Sequence, residues 1–302
     1  LARETIFENN LAGMVVLGPG KRIIDYNKAA EKFFKAINIS LNNHPIEHVF
    51  GQEPKLMEVF GSEDSFDFSV VLNGEERFFE IDTVPLGDYH DGKVRMLKSI
   101  SDVTEKRRIQ EKLKFLATTD SLSGLYNRSE FMNLAEREFA WAKMNNGELS
   151  LLIMDLDNFK TINDTFGHAA GDAVIREMGS IIKASFRKTD IAGRLGGEEF
   201  AVLLKNASLM DAKKVAEQFR ETVARRKVIY EQQQIVFTVS IGVAAFDGST
   251  DDITDIEDVL RMADNALYKA KAKGRNCVEN YGILETNCDR SPGNNGSFPL
   301  LS

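Results

Sequence analysis

The sequence predicts a mixed protein in two parts: an N-terminal antiparallel sheet with flanking helices (α+β), then a helical linker and a C-terminal α/β domain whose central sheet is surrounded by helices. Three observations carry this. At 302 residues the chain exceeds one average domain. Short strands and short helices fill the first hundred residues, whereas long helical stretches alternate with apolar strands from Asp120 onward. Between them, residues 104–118 form a charged helical stretch.

Taken in order, "MVVLGPGKRIIDYN" (14–27) reads as a hairpin, with Gly-Pro-Gly between two apolar runs. "KAAEKFFKAI" (28–37) reads as a helix. "FDFSVVLNGEERFFEIDTVPL" (66–86) gives two alternating strands around Asn73-Gly74, and "KVRMLKSISDVT" (93–104) a last strand. The linker helix places Ile109, Leu113 and Leu116 at spacings of four and three, a short heptad seam suited to pairing two chains or, alternatively, an amphipathic face lying on its own domain. The second part is expected to hold strands at 149–157, 190–195, 200–205, 235–246 and 277–281, with helices near 129–145, 169–186, 208–226 and 255–273. The turn-rich end, 282–302, is expected to be disordered.

Composition narrows the class. A hydrophobic content of 43% supports ordinary buried cores, and a net charge of -8 argues against a nucleic-acid binder. With that field, a polyanionic ligand needs local cations or a metal to hold it. Two cysteines, Cys277 and Cys288, make neither a disulfide framework nor a zinc site, so a reducing cytoplasmic setting is expected. No apolar run approaches the ~20 residues that cross a bilayer. The chain starts at Leu1 without methionine, which leaves room for an upstream membrane-anchored segment.

Chemistry concentrates in a few stretches. "GRLGGEEF" (193–200) interrupts a strand pattern with two glycines and two glutamates, and reads as a hairpin with Gly196-Gly197 at its tip. In "LLIMDLD", Asp155 and Asp157 project to one side at the C-terminal end of a strand, where ligands and Mg²⁺ often sit in α/β proteins. In "ADNALYKAKAKGRN" (263–276), Lys271 and Arg275 fall one turn apart at a helix end, with Gly274 as the stop. Carboxylates in two places and a cationic pair in a third suggest a metal-bound nucleoside triphosphate. The helix macrodipole alone also favours cations at that end.

The layout of residues 1–103, with the exit "SDVTEKRR", resembles a PAS sensor domain. "DSLSGLYNR" (120–128), "DLDNFKTINDTFGHAAGD" (155–172), "RLGGEEF", "VSIGVA" (239–244) and "ADNALYKAKAKGRN", in that order, resemble the GGDEF family of diguanylate cyclases over 120–281. The resemblance implies a Mg²⁺-dependent (or Mn²⁺-dependent) homodimer that condenses two GTP into cyclic di-GMP. It implies Mg²⁺ on Asp155, Glu198 and the Leu156 carbonyl, with Glu199 adding to the acidic cluster. Asn163 and Asp172 match the guanine-recognising pair, and Lys160, Lys271 and Arg275 match positions near the triphosphate. Gly196 and Gly197 would let the nucleotide approach the backbone. Relatives that accept ATP depart from aspartate at the position of Asp172, so guanine is implied. A glutamate at the motif's third position is an accepted variant.

"RKTD" (187–190) alone reads as a solvated helix end; by resemblance, Arg187 and Asp190 form an RxxD product-inhibition site. His44, His48 and His168 read as surface or packing residues, the PAS ligand is unassigned, and the absence of cysteine from 1–276 disfavours a flavin-cysteinyl photosensor. Two other classes compete with the cyclase: a nucleotide receptor that does no chemistry, and a cyclase making cyclic GMP. Product identity separates all three.

Overall fold

The computed structural model describes residues 2–41, 44–50, 53–86, 95–248 and 253–281. The expected tail at 282–302 therefore lies outside the described residues, as do residues 93 and 94 of the last N-terminal strand. The chain divides into two compact units, Leu1–Lys114 and Phe115–Ser302.

In the first unit, helix α1 (Ala2–Glu8) precedes strand β1 (Gly13–Leu17). A short 3-10 turn at Pro19–Lys21 then returns the chain as β2 (Ile23–Tyr26). The expected hairpin forms here, with Gly20 at φ 67 making the reversal. Asn27 follows and is fully buried. Its Oδ1 accepts from Ala30 N at 2.9 Å, capping α2 (Lys28–Ala36), and from Met14 N at 2.8 Å on β1. Its Nδ2 donates to Phe7 O and Ala12 O, so one side chain ties three segments together. Helices α3 (Ile46–Phe50) and α4 (Pro54–Gly61) complete the cover. Phe34, Phe50 and Phe60 meet from three helices with ring centroids 4.7–5.7 Å apart.

Strand β3 (Phe66–Leu72) alternates half-buried and exposed residues, so Phe66, Phe68, Val70 and Leu72 share the core face. Asn73 and Gly74, both at positive φ, turn it into β4 (Glu75–Leu86) as expected. With β5 (Arg95–Asp102) the sheet order is β2-β1-β5-β4-β3, antiparallel throughout. The exit from β5 is firmly held. Thr104 Oγ1 accepts from Phe78 N at 2.9 Å, Val103 N donates to Phe78 O, and Arg107 pairs with Asp67 while lying over the Phe78 ring. Helix α5 (Thr104–Thr118) thus starts from a fixed base on β4. Its Ile109, Leu113 and Leu116 are exposed.

Lys98 on β5 is fully buried and donates to Val59 O at 2.9 Å, Ser62 O at 2.5 Å and Thr83 Oγ1 at 2.6 Å. Burial, with Lys21 nearby, pushes its ammonium down to about 8 from 10.5. Between those values the unfolded chain holds the proton and the folded chain does not, so stability rises with pH. Lys98→Met is expected to abolish that rise. Denaturation of both proteins from pH 7.5 to 10 (about the window between the two values) checks it, and equal slopes would remove Lys98 as the cause.

In the second unit, α6 (Arg128–Asn145) leads to β6 (Leu149–Leu156), every residue of which is buried. Then follow α7 (Phe159–Phe166), α8 (His168–Ser185), β7 (Ile191–Gly196), β8 (Glu199–Lys205) and α9 (Leu209–Arg225). After β9 (Lys227–Tyr230), β10 (Gln233–Val236) and β11 (Val239–Phe246) come α10 (Ile256–Ala272) and β12 (Val278–Asn280). The main sheet runs β12-β11-β6-β8-β7. Leu152, Met154 and Leu156 pack into the core on one face with α8 and α9; Leu151 and Ile153 pack on the other with α6 and α10. A strand covered on both faces is apolar along most of its length, as β6 is outside Ser150 and Asp155.

Among the described strands of this sheet only β11–β12 is parallel. Two elements differ from expectation. The run 235–246 is two strands, broken at Phe237-Thr238 because Thr238 turns aside to bind Asp157 through both its hydroxyl and its carbonyl. Helix α7 was not expected, although Phe159, Ile162 and Phe166 carry helical spacing.

Candidate active site

The site starts at the carboxyl end of β6. Asp155 is 7% exposed and lies opposite Glu199 in the antiparallel ladder with β8. Between β7 and β8 the chain reverses at Gly197-Glu198, with Gly196 paired to Glu199. The tip is therefore one residue later than the expected Gly196-Gly197, because Gly196 still belongs to the ladder. Gly196 and Gly197 have φ 155 and 49, and a Cβ on either would meet nothing within 4 Å. Glycine is required by the backbone conformation here, and the surface beside it is open.

Burial pushes the Asp155 carboxyl upward and Glu198 and Glu199 add to that, while Lys271, whose Nζ lies 2.7 Å away, opposes it. Lys271 thus reaches the acidic cluster from the last turn of α10. Leu156 N donates to the Glu198 carbonyl at 3.3 Å, stitching the glutamate turn to the end of β6. Arg275 lies beyond the helix that carries Lys271, past the expected stop at Gly274. Gly274 at φ 114 ends α10, and Arg275 follows at φ 65 in the turn beyond, its side chain exposed.

Lys160 and Asn163 lie three residues apart on α7, which begins two residues after Asp157. Asn163 packs directly on Gly171 of α8, where a Cβ would fall 1.9 Å from its Oδ1. That contact sets the Asn163 amide against the residue preceding Asp172, on the adjoining helix. Arg187 and Asp190 close a tight turn, with Arg187 N donating to Asp190 Oδ2 and Asp190 N to Arg187 O, both at 3.0 Å. They line a hollow of about 380 Å³ with Lys214. This turn sits at the start of β7 and Glu198 at its far end, so it is separate from the acidic cluster.

Sequence reasoning missed Arg194. Its Nε and Nη2 donate to Gly197 O at 2.9 and 2.7 Å, and its Nη1 reaches both Asp120 oxygens at 3.1 and 3.2 Å. Burial would raise the Asp120 carboxyl, but hydrogen bonds from Ser123 and Arg194 outweigh it and hold it below its usual value. Asn127 holds the end of α5 from the other side: its Nδ2 donates to Ala117 O at 2.7 Å, its N to Thr118 O at 2.9 Å, and its Oδ1 caps α6. The segment 120–127 thereby links the end of α5 to the glutamate turn. Charge complementarity between Asp120 and Arg194 was the available signal.

Among the described residues no group of three or more His, Cys, Asp or Glu side chains forms a metal cage. The donor set of Asp155, Glu198 and a backbone carbonyl suits Mg²⁺, which is commonly bound by one or two carboxylates with substrate phosphates and water. Hard oxygen donors at a strand end, with a lysine reaching them and an arginine just beyond, equip a site for nucleoside triphosphates.

Comparison with known proteins agrees. The family model "Diguanylate cyclase, GGDEF domain" matches residues 117–277, and a PAS domain model matches residues 4–66. Diguanylate cyclase DgcM of Escherichia coli (strain K12) is 33% identical over 286 residues, which cover 90% of this chain and 67% of DgcM. Diguanylate cyclase A of Treponema denticola is 37% identical over 63% of this chain and 51% of that protein. The chain thus spans between about half and two thirds of the length of these curated relatives. The solved coiled coil and GGDEF domain of DgcB from Caulobacter crescentus, in complex with c-di-GMP, matches with TM-score 0.55 and 32% identity, over 59% of this chain and 93% of that one. The chain belongs to the GGDEF diguanylate cyclase family and carries a PAS domain ahead of its GGDEF domain.

Proposed function

We propose that this protein condenses two molecules of GTP into cyclic di-GMP, releasing two pyrophosphates. The observation that carries this reading is the meeting of Asp155, Glu198, Glu199 and Lys271 at one end of the β6–β8 ladder. In each half-reaction the 3'-hydroxyl of one GTP attacks the α-phosphorus of the other, and the bond to pyrophosphate breaks. Asp155, Glu198 and the Leu156 carbonyl would hold Mg²⁺, which supplies Lewis-acid polarisation of the phosphate when bound. Lys160, Lys271 and Arg275 offset charge on the triphosphate and the departing pyrophosphate. Asn163 and Asp172 select guanine, since a carboxylate accepts from its N1–H and exocyclic amine.

One such site holds one GTP, so two copies must face each other, and the exposed seam of α5 is the natural pairing element. In this reading residues 1–103 sense, 104–119 couple and 120–281 catalyse in the cytoplasm. The PAS domain biases the α5 pair between productive and unproductive arrangements. Arg187 and Asp190 bind product and restrain the enzyme; the c-di-GMP held by DgcB supports the ligand class.

Mass spectrometry after incubating nucleotide-stripped protein with GTP and Mg²⁺ tests the core of this. Cyclic di-GMP is expected; cyclic GMP, or GTP binding without product from a permanently paired protein, would overturn it. A finer prediction concerns base recognition. Gly171→Ala is expected to raise KM for GTP about tenfold with a smaller change in kcat, because the new methyl displaces the Asn163 amide. Steady-state kinetics check it, and an unchanged KM would remove Asn163 from guanine recognition.

A further inference from the structure

We propose that Asp157 is a positioning residue that aims Arg275 at the triphosphate of bound GTP. The proposal rests on the cyclase reading above and assigns a distinct task to the second carboxylate at the end of β6.

Asp155 and Asp157 lie two residues apart, yet their surroundings differ. Asp155 faces Lys271 and the two glutamates. Asp157 is 5% exposed and accepts from neutral donors: Ser240 Oγ at 2.6 Å on Oδ1, and Thr238 Oγ1 at 2.7 Å and Asn276 N at 2.9 Å on Oδ2. Two donors come from the neighbouring strand region. The third is a backbone N–H of the turn beyond α10, next to Arg275.

That turn has an unfavourable backbone. Gly274, Arg275 and Asn276 have φ 114, 65 and 45, a region that strains each non-glycine residue. It is retained because it is tied down on several sides. Asn276 N goes to Asp157, Asn276 Oδ1 accepts from Arg220 Nη1 at 2.9 Å, and Arg275 N donates to Ala270 O at 3.2 Å. Arg220 is itself held by Glu217 at 2.7 Å. Asp157 thus fixes the chain one residue from Arg275, whose own side chain is exposed. Without Asp157 the strained turn relaxes, and the guanidinium loses its direction toward the phosphates.

The test is a double-mutant cycle of Asp157→Ala and Arg275→Ala, read by equilibrium binding of GTP and of GMP. Asp157→Ala is expected to weaken GTP binding about tenfold, as for loss of one charge-assisted phosphate contact. GMP, which lacks the β- and γ-phosphates, is expected to bind as before. The double variant should bind GTP no more weakly than Arg275→Ala alone. Asp157→Asn should restore binding, since its Oδ1 accepts from Asn276 N while its amide donates to Ser240 Oγ. Equal losses for GTP and GMP, or additive losses in the cycle, would overturn the proposal. If Asp157→Ala does not fold, Thr238→Val, which removes the hydroxyl that holds the same Asp157 oxygen that accepts from Asn276 N, carries the same comparison. Absence of cyclic di-GMP from the parent protein would defeat the cyclase reading, and the binding cycle would still decide the role of Asp157.

Discussion

Asp155→Asn is expected to lower cyclic di-GMP production about a thousandfold while leaving the melting temperature unchanged or higher. The two halves of this expectation come from one feature. Asp155 is buried beside Glu198 and Glu199, and burial is the main reason its carboxyl is pushed up. The folded state therefore holds the proton more readily than the unfolded chain. The stability this group contributes is present at low pH and lost as pH rises through its folded value. A neutral amide of the same shape escapes that loss. Lys271, whose side chain is 35% exposed, can turn to water once its partner is neutral. Activity depends on the same charge, because an amide is a poor ligand for Mg²⁺. Glu198→Ala should behave similarly, since the half-buried glutamate lies in a two-residue turn where truncation leaves no cavity. Product assays and melting curves between about pH 4 and 7 check both variants, a range set by ordinary carboxylate values. Retained turnover would remove Asp155 as a metal ligand, and a large fall in melting temperature would make its role structural.

A buried carboxylate that costs stability is a local conflict of the kind that marks functional sites. It also shows what the chain does and does not reveal when read linearly. Helix α5 was legible to the residue, because charge and spacing are local properties of 104–118. The Asn73-Gly74 turn was legible because only a few residue types accept its backbone. The turn between β9 and β10 was not, since Glu231 and Gln232 adopt positive φ without being turn formers, held by the ladder on either side. The break between β10 and β11 depends on Asp157, some eighty positions earlier, and nothing near Thr238 announces it.

The site divides along the same line. Asp155, Glu198 and Lys271 stood in quoted motifs, and the structure brings them together. Arg194 and Asp157 stood in those motifs too, but their tasks depend on partners at Asp120 and Asn276. Lys98 shows the limit most clearly. An isolated lysine in a strand reads as exposed, and only tertiary packing places its ammonium over the carbonyls at the end of α4.

Gly242→Ala is expected to cost about 3 kcal/mol of stability and, through the same displacement, about a hundredfold in turnover. Gly242 lies in β11, paired with Ile153 on one side and Glu279 on the other, so the strand cannot slide. A Cβ there would fall 2.1 Å from Ala263 O and 2.3 Å from Leu267 N. Both are backbone atoms of α10, so no side-chain rotation relieves the clash, and the helix must move outward. Lys271 lies one turn beyond Leu267 on that helix, and its ammonium now sits 2.7 Å from Asp155. Moving α10 by about an ångström shifts this cation relative to the acidic cluster, a displacement large enough to cost two orders of magnitude in rate. For a unit of this size the stability loss corresponds to a fall of about 10 °C in melting temperature. Calorimetry, with turnover measured well below the new midpoint, separates the two effects. A lowered melting temperature with normal turnover would mean that α10 repacks without carrying Lys271 along. An unchanged melting temperature would mean that the close approach of α10 to β11 is not what requires glycine at 242.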